Sequence, residues 1–131
     1  MSGTVREVKV IAQDDAPGGV ITWDKEKGCY YEYYSETLGW QAIETRGIVI
    51  TELTEGGYVA IIPVGMCQVS SVNFEHTVTV GAKVEKGDPL GFFLFGESDI
   101  IMIFSPELHF ELTADQGGHI LMGTEYGRLL R

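Results

Sequence analysis

Ser98 stands between two carboxylic acids at the end of the run Gly91-Phe92-Phe93-Leu94-Phe95-Gly96-Glu97-Ser98-Asp99. A serine hydroxyl is a weak nucleophile unless a base or a strained local geometry assists it. Glu97 and Asp99 could pair as acid and base, but along a strand they would flank Ser98 on the opposite face. A hydrolase elbow of G-x-S-x-G type needs glycine two residues after the serine, and position 100 is isoleucine. Neither a carboxylate pair nor a serine hydrolase is well supported by this spacing.

The other chemistry-bearing residues are scattered. His76, His109 and His119 have no histidine partner at the spacing of a metal-binding pair, so no metal is expected. His109 falls on the polar face of an alternating segment and reads as a solvated histidine. Cys29 and Cys67 lie far apart without C-x-x-C spacing, which favours buried free thiols and a reducing compartment. The cluster Tyr30-Tyr31-Glu32-Tyr33-Tyr34 suits rings that cover a sheet with their hydroxyls wet.

The elements that must position Ser98 are strands. Period-two alternation and β-branched or aromatic runs recur, each closed by Gly, Pro or Asp, and no stretch of 3.6 periodicity stands out. Residues 5–11 alternate and then meet the turn formers Asp14-Asp15-Ala16-Pro17-Gly18-Gly19. Residues 47–53 and 58–62 flank Thr54-Glu55-Gly56-Gly57, whose paired glycines suit a tight antiparallel hairpin. Residues 65–80 continue as irregular strand with Val78 and Val80 inward, and residues 81–90 hold two glycine-bounded turns. Residues 100–104 form a strand, and Leu108, Phe110 and Leu112 share one face of the next. The expectation is an all-β antiparallel domain of barrel-sandwich type spanning residues 1–131.

Size and charge narrow the functions. A chain of 131 residues with 44% apolar content suits one domain. Nineteen acidic against nine basic side chains give a net charge of −10, which repels phosphate backbones, and no basic stripe offsets it. Nucleic acid is therefore not an expected partner. No signal peptide and no apolar run of membrane-spanning length is visible, so a cytoplasmic location is expected. A homo-oligomer is compatible with this reading.

One stretch resembles a known family. Gly81-Ala82-Lys83-Val84-Glu85-Lys86-Gly87-Asp88-Pro89-Leu90-Gly91-Phe92-Phe93-Leu94-Phe95-Gly96 is similar to the K-G-D-x-L-G-x-F-x-F-G run that leads into the self-cleavage site of phosphatidylserine decarboxylases. Glu44-Thr45-Arg46 matches the family's x-x-R triplet, and Val64-Gly65-Met66 with Val69-Ser70 matches its glycine and V-S segment. Ser2-Gly3-Thr4-Val5 resembles the G-T-V opening of the branch that includes fungal amino-acid decarboxylases. The resemblance covers the carboxyl-terminal portion of such enzymes. The active histidine, in an H-x-x-H-x-P stretch ahead of G-T-V, is expected in an amino-terminal region outside these residues.

The resemblance implies a pyruvoyl-dependent decarboxylase acting on an amino-acid carboxylate, in phosphatidylserine or in a free amino acid. It makes Ser98 the residue that attacks the carbonyl before it, breaks the chain and becomes the pyruvoyl cofactor. Gly96, Glu97 and Asp99 become the cleavage-site neighbours. The family has glycine at position 97 and serine or threonine at 99. Glu97 restricts the turn with its Cβ, and both acids face an oxyanion that must form. At an effective dielectric near 20, a charge about 4 Å from that oxyanion costs roughly 4 kcal/mol before screening. Slow or abolished self-cleavage is therefore expected. The other reading is a non-catalytic binding or regulatory module, because V-x-x-G-D-x-L hairpins also resemble biotinyl and lipoyl carriers. No M-K-M or D-K-A carrier lysine is present.

Overall fold

A computed structural model describes residues 2–12, 20–33, 44–65, 71–94 and 98–130, with the backbone alone for residues 20–24 and 29–33. Its strands are β1 (Gly3–Ile11), β2 (Val20–Asp24), β3 (Cys29–Tyr33), β4 (Thr45–Leu53), β5 (Tyr58–Gly65), β6 (Asn73–Phe74), β7 (Lys83–Val84), β8 (Gly91–Phe92), β9 (Asp99–Phe104), β10 (Phe110–Leu112) and β11 (Gly127–Leu129). A five-stranded antiparallel sheet in the order β7-β1-β4-β5-β9 curls into a half-barrel, beside the two-stranded ladders β2-β3, β6-β8 and β10-β11. The chain thus adopts the all-β antiparallel class that its alternation implies.

The β4–β5 hairpin is dictated locally. Gly56 and Gly57 take φ of +96° and +81°, the left-handed region that a side chain disfavours. The turn closes with the Gly56 N–H donating to the Leu53 carbonyl at 2.9 Å and the Leu53 N–H to the Gly57 carbonyl at 2.9 Å. From there β4 alternates between buried and half-buried residues along its whole length. Thr45, Gly47, Val49, Thr51 and Leu53 point into the curl. At Gly47 a Cβ would collide with the Phe74 ring and the Val72 side chain, so this close approach requires glycine.

The core inside the curl has two centres. Val5, Val49 and Val78 pack with Val8, Phe74 and Leu90, and Leu53, Val59 and Leu108 pack with Met102, Phe104 and Leu129. Each fully buried valine here contributes about 1.5–3 kcal/mol of apolar transfer. A register shift between Val5 and Glu7 explains how β1 serves this core. The extra residue flips the side-chain phase, so Val5 and Val8 can both face inward although three positions apart. The strand is therefore bulged where simple alternation was expected, and Val10 is half exposed.

Other expectations need correcting. Val78 is buried, but Val80 is 65% exposed because the chain turns through residues 77–82, with the Ala82 N–H bonded to the Thr79 carbonyl. Leu108 does not share a strand face with Phe110 and Leu112. It belongs to a 3-10 helix, Pro106–Leu108, started by proline, and is buried while Leu112 is exposed. His109 caps that helix at φ +42° and is exposed, so its solvated state holds although its strand position does not. The turn at Gly87 is as expected, with φ +99° and the Asp88 carboxylate accepting the Glu85 N–H at 2.8 Å. The side chains of Cys29 and the tyrosine cluster, and the whole of Cys67, lie outside the described residues.

Candidate active site

The apolar run from Gly91 leads toward Ser98 in the sequence. Its described part forms only β8, Gly91–Phe92, paired with β6. Ser98 is instead held from the other side, immediately before β9. The β5–β9 ladder runs from Val59 opposite Phe104 to Val64 opposite Asp99. Carried one residue further, that register sets Ser98 beside Gly65, which pairs in turn with Thr45 of β4.

The half-buried Ser98 hydroxyl donates to the Val64 carbonyl. This bond fixes the side chain against the end of β5, and a carbonyl accepts a hydrogen bond without removing the proton. Asp99 is exposed and shares the opposite face of the sheet with Val64, its register partner, and with Arg46, which pairs with Val64 from the other side. Gly96 and Glu97 lie outside the described residues.

Two polar residues near this end of the sheet were not singled out as chemical groups by their sequence context. Glu44, just before β4, is 4% exposed, and its Oε2 is buried without a hydrogen-bond partner. Burial pushes its carboxyl above the ordinary value. Its main-chain carbonyl accepts from the Arg46 guanidinium at 3.2 Å. Asn73 of β6 keeps its amide Nδ2 buried and unpartnered. Alternation can flag an inward position, but an unmet hydrogen-bonding group depends on what the other strands bring against it.

Ile100 follows Ser98 by two residues and lies on the same side of the sheet. Its partner across the ladder is Pro63. With Ile61 these two form the floor of a cleft of about 280 Å³, walled by residues 72–74 and 90–93. Among the described residues, no group of three or more His, Cys, Asp or Glu side chains gathers as a metal site.

The sequence model of the phosphatidylserine decarboxylase family matches residues 1–128, nearly the whole chain. The chain belongs to that family. It is 36% identical over 80 residues to a phosphatidylserine decarboxylase proenzyme of Chlamydia trachomatis, covering 61% of this chain and 26% of the relative. It is 36% identical over 75 residues to the decarboxylase iboD of Amanita muscaria, covering 56% and 21%. Phosphatidylserine decarboxylase proenzyme 2 of Komagataella phaffii is 34% identical over 70 residues, covering 53% and 7%. The chain therefore spans about a quarter or less of the length of these relatives. No solved structure matches it.

Proposed function

We propose that this chain is the part of a pyruvoyl-dependent decarboxylase that carries the self-processing serine, Ser98, and that its substrate is an amino-acid carboxylate. The observation that carries the reading is the position of Ser98 in a family member: a half-buried hydroxyl, held on the Val64 carbonyl, immediately before β9 and two residues from Ile100, which lines an apolar cleft.

The chemistry asks little of the rest of the chain. The Ser98 Oγ adds to the carbonyl carbon of residue 97, the C–N bond breaks, and the nitrogen takes the hydroxyl proton, leaving an ester. Loss of the Ser98 α-proton then expels the residue 97 carboxylate, and water replaces the Ser98 nitrogen as ammonia to leave a ketone. That ketone supplies the electron sink for loss of carbon dioxide. The Val64 carbonyl holds Oγ in place, and the reading expects the base to be a histidine of an amino-terminal region. Glu97, whose own carbonyl is the one attacked, replaces the glycine of the family motif with a Cβ and a negative charge, which slows the first step.

Intact mass tests this directly. The purified chain is expected to remain near 14.4 kDa. The double change Glu97→Gly and Asp99→Thr, mixed with the amino-terminal half of a related decarboxylase, is expected to give fragments divided at residue 98 and a ketone trapped by hydroxylamine. Ser98→Ala in that background should abolish both. If the corrected chain associates with the added half and still stays whole, the decarboxylase reading fails and the non-catalytic binding module replaces it.

A further inference from the structure

We infer that the cleft beside Ser98 is a subsite for the side chain of an amino acid that is apolar and about the size of one aromatic ring, and that a phospholipid headgroup does not occupy it. The inference rests on the decarboxylase reading for its purpose, but the cleft can be tested without any chemistry at Ser98.

Position comes first. Ile100 is on the same side of the sheet as Ser98 and two residues along, a separation of roughly 7 Å at the rise of an extended strand. A substrate held at residue 98 lies within reach of Ile100 and of Pro63, its partner across the ladder. Size comes next. A cleft of about 280 Å³ lies just below the range, roughly 300–1,000 Å³, of pockets that hold drug-sized ligands. It can take a single ring but not a diacylglycerol.

Charge points the same way. Pro63, Phe74, Phe92, Phe93 and Ile100 line the cleft together with Asn73, and no lysine or arginine is among the described residues that line it. A phosphodiester brought there would lose water without gaining a cation, and an unpaired buried charge is strongly disfavoured. An apolar ring loses nothing by the transfer. Phe92 and Ile100 are 50% and 59% exposed, so apolar surface at the mouth is open for a ligand to cover. Asn73 is the one polar residue among the described residues that line the cleft, and its Nδ2 is itself buried, so the open wall is apolar.

The test is a titration of the isotope-labelled full chain followed by amide NMR, with L-phenylalanine, L-aspartate and glycerophosphoserine as probes. L-phenylalanine is expected to shift the amides of Phe74, Gly91, Phe92 and Ile101 with a dissociation constant of about a millimolar, at least about ten-fold tighter than either polar probe. Ile100→Asp and Phe92→Asp change half-exposed side chains and should keep the dispersed spectrum of a folded sheet while weakening L-phenylalanine about ten-fold or more. Val80→Asp, at an exposed position outside the cleft, should not. Equal binding of glycerophosphoserine at these amides, or no shift with L-phenylalanine near its solubility limit, overturns the inference. Processing of the Glu97→Gly, Asp99→Thr chain mixed with the added amino-terminal half separates the two readings. A mixture that binds L-phenylalanine but never processes keeps the subsite and loses the decarboxylase. One that processes and acts on phosphatidylserine vesicles while ignoring L-phenylalanine does the reverse.

Discussion

β4 reads Thr-Arg-Gly-Ile-Val-Ile-Thr-Glu-Leu and buries every second residue, whereas β9 reads Asp-Ile-Ile-Met-Ile-Phe and leaves Ile100, Ile101 and Ile103 at 59%, 37% and 55% exposure. The more apolar strand is the more exposed one. β4 has β1 on one side and β5 on the other, and loops from residues 71–94 cover its inner face through Phe74 and Val78. β9 ends the sheet, paired with β5, and only Met102 and Phe104 reach the packed centre around Leu108. Burial here follows the place a strand takes in the sheet more than its hydrophobicity. Among the described residues no strand pairs with the outer edge of β9, and an edge strand with exposed isoleucines is costly to leave bare. It lies where Ser98 and its cleft are, which is consistent with a surface kept for a ligand or partner.

The contrast is broken most directly by truncating one residue from each region. Leu108→Ala is expected to cost about 2–4 kcal/mol in urea unfolding, because it empties the centre between Leu53 and Val59. Ile103→Ala should change stability by less than about 0.5 kcal/mol. A comparable loss at Ile103 would mean that the outer face of β9 is covered in solution.

A smaller effect separates two adjacent glycines of the hairpin. Gly56 has open space where a Cβ would go, so Gly56→Ala carries only the left-handed backbone cost of roughly 1–2 kcal/mol. At Gly57 the added Cβ would also approach the Leu108 Cδ2 at 2.5 Å and Cγ at 2.7 Å. Gly57→Ala should therefore lower stability further, by about 2–3 kcal/mol in total, with Leu108 forced to move. Equal melting of the two variants would show that Leu108 yields freely and that the tight centre is softer than β4 suggests.

The smallest expected signal is at Glu44, beside the strand end that faces Ser98. Burial holds its folded pKa above the ordinary 4.5, so in that window the native state binds more protons than the unfolded chain. Its contribution to stability is present below the unfolded pKa and is lost as pH rises through the folded one. Glu44→Gln should flatten the fall of the urea midpoint as pH rises above 4.5 and leave the variant the more stable once the carboxyl is charged. An unchanged profile would mean that the Glu44 carboxyl is solvated.

What the sequence determined by itself is what neighbouring residues decide among themselves. Period-two alternation sets the strand class, paired glycines at 56 and 57 set the hairpin, and Gly87 with Asp88 sets a turn, because each depends on local φ preferences and on side chains a few positions apart. The family was legible for a related reason, since its motif is contiguous from Gly81 to Gly96. Tertiary structure alone decided the rest. The bulge that brings Val5 and Val8 inward together depends on the register of β4, the exposure of Val80 on where the chain turns back, and the place of Leu108 on a centre built by residues 53 and 59. Ser98 illustrates the limit best. Its sequence context points backward to an apolar run, but the bond that holds it comes from Val64, and a pairing between positions 34 residues apart leaves no periodic mark at either end.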